Sequence, residues 1–60
     1  MEAYLRYLET LSDEALAQER KERRYEWVNA ENDAHQEYAL AQLEAAQAAE
    51  AKRRNASTAE

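Results

Sequence analysis

Large apolar residues recur at helical spacing from the first turns of the chain. Tyr4, Tyr7, Leu8 and Leu11 stand at intervals of three, four and seven, with Glu2, Arg6 and Glu9 on the opposite side. This predicts a short amphipathic helix over residues 2–10. A start signal follows. Thr10 and Asp13 approximate a capping box, and Ser12 is a rival cap with Asp13 and Glu14 in the first turn. Either cap opens a second helix near residue 13.

That helix is expected to run to about residue 54, continuous or merely bent. Lys52, Arg53 and Arg54 would lie in its last turn, where cations suit the helix dipole. Asn29-Ala30-Glu31-Asn32-Asp33 offers the one alternative, a hairpin, because Asn and Asp compete with the helix by bonding nearby backbone. Residues 55–60 read as a disordered tail beyond a single helical domain spanning 1–54.

At 100° per residue, Leu16, Trp27, Ala30, Ala34, Tyr38, Ala41, Ala45 and Ala48 fall within about 60° of one another. Tyr25, Leu40 and Leu43 form a weaker stripe on nearly the opposite side. Two apolar edges suit a bundle or coiled coil of two or more chains.

Composition strengthens the helical reading. The 60 residues include no Gly, Pro or Cys, so the usual breakers and staples are missing. Of the 27 hydrophobic residues, 14 are Ala, and neither Ile nor Phe occurs. Bulky apolar residues are too few for a comfortable monomer, no disulfide can form, and self-association is the common remedy. The expected architecture is therefore an all-α homodimer. Its candidate core and dimer residues are Tyr4, Leu5, Tyr7, Leu8, Leu11, Leu16, Trp27, Val28, Tyr38 and Leu43.

Net charge is −5 and unevenly spread. Arg20, Lys21, Arg23 and Arg24 make a basic cluster interrupted by Glu22. With Tyr25 and Trp27 beside them, they are the candidate contact for nucleic acid or another partner. A solvated face is the favoured alternative: Glu19 can pair with Arg23, and an acidic chain is repelled from DNA overall. From Tyr25 to Ala51 there are six acids and no Lys or Arg. That stretch could mimic a nucleic-acid backbone as a decoy, although its acid density is ordinary for a solvated surface.

Chemistry for catalysis or cofactors is not legible. His35 follows Glu31 by four residues, and Asn32 stands where a Glu-x-x-His metal motif would need Glu. Ser12, Ser57, Thr10 and Thr58 lie at caps or in the tail, with no base placed beside them. No enzyme activity, metal, cofactor or small-molecule ligand is expected. Glu2, Arg6 and Glu9 would not be tolerated in a signal-peptide core, and no apolar run approaches a membrane span. The expected location is the cytoplasm, with no membrane partner.

The run Leu11-Ser12-Asp13-Glu14-Ala15-Leu16, with Tyr25-Glu26-Trp27-Val28-Asn29-Ala30-Glu31-Asn32, resembles the small early proteins of lambdoid phages encoded between the exonuclease and excisionase genes. The similarity is one of general character. Like them, the chain is very short, acidic, helical and free of cysteine, with one Trp-bearing helix. The resemblance covers residues 4–43 and transfers no functional residue. It implies a helical dimer made early in infection, acting in the host cytoplasm through contacts with a host or phage protein. The implied effect is on the choice between lysis and lysogeny, or on host physiology.

Overall fold

A computed structural model of the chain describes residues 2–58, with side chains for 2–56. Among these residues the structure is all-helical: α1 Glu2–Glu9, α2 Asp13–Val28 and α3 Asp33–Thr58.

Short polar side chains do the punctuation that Gly and Pro do elsewhere. Ser12 wins over Thr10 as the cap of α2: its backbone is extended and its Oγ accepts a hydrogen bond from Ala15 N at 3.1 Å. Thr10 instead closes α1, its Oγ1 donating to Tyr7 O at 2.7 Å. The long helix expected over 13–54 does not form. Asn29 ends α2, with its backbone N and its Nδ2 both donating to Tyr25 O, at 3.0 and 2.9 Å. Asn32 opens α3, its Oδ1 accepting from His35 N at 2.8 Å. Two caps three residues apart close one helix and open the next, so the hairpin leaves few helix-end groups unpaired. It also lets α3 bury its apolar face on α2 within one chain. No residue needs a positive φ to make these turns.

The expected tail is a second correction. Residues 55–58 continue α3, since Asn55-Ala56-Ser57-Thr58 contains no residue that must stop a helix; residues 59 and 60 lie outside the described residues. Lys52, Arg53 and Arg54 therefore sit one turn inside α3 rather than at its end.

α2 and α3 run antiparallel. Arg20 Nε meets Glu50 Oε1 at 2.6 Å, across 30 residues, and Arg53 Nη1 meets Asp13 Oδ1 at 2.9 Å, across 40. The sequence separation grows away from the turn, as a hairpin requires. α1 then lies along the open end of the pair. Arg53 holds it there, donating from Nη2 to Leu8 O at 3.1 Å while its Nη1 pairs with Asp13. One guanidinium thus ties the end of α1, the start of α2 and the body of α3 together.

The core is small: Leu8, Leu16, Ala39, Leu43 and Ala46 are buried, with Tyr4, Leu11, Ala45 and Ala49 packed against it in part. α3 faces α2 through Ala39, Leu43 and Ala46, not through the long stripe of Ala34, Tyr38, Ala41, Ala45 and Ala48. A helical phase cannot carry across the break at residues 29–32, so α3 takes the register that buries Leu43 instead. The molecule is elongated, 43 × 20 × 16 Å. Its radius of gyration is 12.3 Å, against about 10.4 Å for a compact domain of this length.

Candidate functional site

The fold divides the ten residues expected in a core or dimer contact. Leu8, Leu16 and Leu43 are buried, and Tyr4, Leu11 and Trp27 are half-buried. Leu5, Tyr7, Val28 and Tyr38 are exposed, joined by Tyr25. Within a single chain those first four lie outside the core. Val28 sits on α2's outer side, and Tyr38 on the α3 face that α2 does not cover.

The basic cluster also divides. Arg20 is taken by Glu50. Arg23 is taken by three carboxylates of its own helix: Nη2 lies 3.0 Å from Glu26 Oε1 and 3.7 Å from Glu22 Oε2, and Nε lies 3.6 Å from Glu19 Oε2. Lys21 and Arg24 are exposed. Together with Tyr25 and Val28 they fall at i, i+3, i+4 and i+7, one stripe on the outward side of α2. The pairing of Glu19 with Arg23 is legible in the sequence. The pairing of Arg20 with Glu50 is not, because nothing local links residues 30 apart.

Sequence reasoning misses the polar contact that seats α1. Tyr4 Oη donates to Glu19 Oε2 at 2.7 Å, and Glu19 is only 9% exposed. Burial lifts the Tyr4 hydroxyl well above the usual tyrosine range; the hydrogen bond to Glu19 and its negative charge push the same way, while Arg23 opposes them. The folded state thus holds Tyr4 neutral. Below the ordinary tyrosine value of about 10 both states are neutral and this contribution is whole. Above it the unfolded chain ionises first, and the stabilisation drains away as pH climbs toward the raised folded value. Thermal melts above pH 10 should therefore show wild type losing stability more steeply than Tyr4→Phe; parallel slopes would contradict the coupling.

Two concavities bear on binding. A furrow of about 510 Å³ runs beside Tyr25, lined by Gln18, Lys21, Glu22, Arg23 and Glu26 as well, all on α2. One helix cannot enclose a ligand, so this is an open surface. The second, about 480 Å³, lies between α1 and α3, with Leu5, Leu8, Ala45, Ala48, Ala49 and Ala56 as its apolar lining and Glu9, Lys52 and Arg53 as its charged lining.

His35 is exposed in the first turn of α3. Among the described residues no group of three or more His, Asp or Glu is placed to hold a metal ion, and no helix is long and apolar enough to cross a membrane. Comparison with known proteins brings no match, whether among family models, curated proteins or solved structures.

Proposed function

We propose that the chain is a non-enzymatic interaction protein that acts as a homodimer and contacts a second protein through the outward face of α2. The observation that carries this is the distribution of bulky apolar groups. Three leucines are buried in the core, while Leu5, Tyr7, Tyr25, Val28 and Tyr38 face solvent. A chain with more large apolar residues outside than inside has surface available for partners. Tyr25 and Val28, flanked by Lys21 and Arg24, combine an aromatic anchor with charge, the usual make-up of a protein contact. On the resemblance to early phage proteins, that partner is a host or phage protein met in the cytoplasm.

Sedimentation at micromolar concentration should give twice the 7.0 kDa chain mass. Capture from host lysate should retain a partner that is lost with Lys21→Glu/Arg24→Glu; a partner held equally by both forms would remove α2 from the reading.

A second reading, nucleic-acid binding, is favoured by one observation: Lys21 and Arg24 lie outside the Glu19 and Glu50 pairings and beside exposed Tyr25. Only two such cations per chain remain of the four in the cluster. A dimer using all of its own would show a logarithmic salt slope of roughly −3 to −4. A gel-shift series against salt separates the readings, and no binding at low salt discards this one.

A further inference from the structure

We propose that a second copy of this chain docks along α3, antiparallel to it, with Tyr38 of each copy seated in the α1–α3 groove of the other. This rests on the homodimer reading and names the face through which the dimer forms.

α3 carries two apolar seams. Ala39, Leu43 and Ala46 are buried against α2. The other seam is Ala34, Tyr38, Ala41, Ala45 and Ala48, at spacings of four, three, four and three, the repeat of paired helices. Lys52 extends it by another step of four. α1 covers only the lower part of this face, and there the groove opens between Leu5 and Ala48. Further up, Tyr38 stands 63% exposed, its hydroxyl 3.4 Å from the Gln42 amide. The same face therefore holds a protruding aromatic ring and an apolar hollow, with ten residues, or about 15 Å, between Tyr38 and Ala48.

The spacing series reads the same in both directions about residue 43. Laying a second α3 antiparallel about a two-fold axis there sets Tyr38 opposite Ala48, Ala41 opposite Ala45, and Ala34 opposite Lys52. The one bulky residue meets a small one at the mouth of the groove. The central positions are all alanine, Ala41 exposed and Ala45 half-buried at the edge of the core, which lets the helices approach closely. Such a contact is isologous: each copy fills the hollow of the other, and assembly closes at two chains.

Charge selects the direction. α3 bears Asp33, Glu37, Glu44 and Glu50 before its first cation, then Lys52, Arg53 and Arg54. Antiparallel pairing lays Asp33 and Glu37 of each helix along the basic end of the other, with Glu37 diagonal to Lys52. Parallel pairing would set like charge against like.

The absence of cysteine makes single-thiol variants clean reporters. In sedimentation, Tyr38→Ala should raise the dimer dissociation constant at least about tenfold with helicity unchanged, while Tyr25→Ala stays within about twofold. Under mild oxidation, Ala41→Cys mixed with Ala45→Cys should give a mixed disulfide. Ala48→Cys alone should not cross-link, because its two copies stand about 15 Å apart along the axis. Self-cross-linking of Ala48→Cys would overturn the proposal in favour of a parallel pair. A dimer indifferent to Tyr38→Ala that forms no mixed disulfide would overturn the docking face and leave the homodimer reading standing. A monomer at every concentration would overturn both.

Discussion

Replacing Leu16 with alanine is expected to cost about 3 kcal/mol and to abolish cooperative folding at 37 °C. Leu16 is fully buried, and its cluster consists of Leu8 and Ala46, with Tyr4, Leu11, Ala45 and Ala49 at the edge. None of these can move in to fill the void without dragging a whole helix. For a domain of sixty residues the total stability is only about 3–9 kcal/mol, so one such cavity removes a large part of it. Leu16 is also where α1 meets the hairpin, and its loss should free α1 first. Circular dichroism melts at one protein concentration check the claim. Leu16→Met, which keeps the volume, should lose less than about 1.5 kcal/mol. If Leu16→Ala melts within a few degrees of wild type, the core lies elsewhere and the assigned packing is wrong.

Those parts of the fold that depend on near neighbours are legible in the residues. α1 follows from Tyr4, Tyr7 and Leu8 at helical spacing, and the start of α2 from Ser12 before Asp13 and Glu14. The break at Asn29 and Asn32 is visible only as an alternative. Neither Gly nor Pro compels it, and the caps prevail because the hairpin then buries Leu43 and Ala46. That advantage is tertiary and leaves no local trace. The same break explains why the long stripe is not the face that α3 turns to α2: one helical phase extended from Leu16 to Ala48 cannot survive a turn. Residues 55–58 are polar enough to suggest disorder, yet nothing in them forbids another helical turn.

The charged residues divide for a related reason. Arg20, Lys21, Arg23 and Arg24 look equivalent in sequence, but helical position decides their fates. Arg20 and Arg23 lie toward the packed side of α2 and meet Glu50 and Glu19, whereas Lys21 and Arg24 point away. A five-residue window cannot separate them, because the partner of Arg20 lies 30 residues downstream. Arg53 is the converse case. Its place in the chain suggests a cation at the end of its own helix, but it caps a different one, reaching Leu8 O at the end of α1. The attraction between a cation and a helix C-terminus is real, and the fold applies it to another helix.

Glu19 is where this polar packing should prove most costly to disturb. Its carboxylate accepts from Tyr4 Oη and lies 3.6 Å from Arg23 Nε, a buried nitrogen that makes no hydrogen bond. Glu19→Ala removes the acceptor, strands the Tyr4 hydroxyl and leaves that nitrogen without its nearest carboxylate. Breaking a buried pair from one side costs about 3–5 kcal/mol. Arg23 keeps Glu26 and Glu22, so the expected loss is smaller, about 2–3 kcal/mol. Glu19→Gln retains an oxygen for Tyr4 and should lose about 1 kcal/mol, and Tyr4→Phe, which leaves the buried Glu19 carboxylate with Arg23 alone, should lose about 1–2 kcal/mol. Urea titration of the three variants tests this order. A Glu19→Ala chain as stable as Tyr4→Phe would mean that the carboxylate is solvated in both states, and that apolar contact and the Arg53 bond to Leu8 O hold α1 against the hairpin.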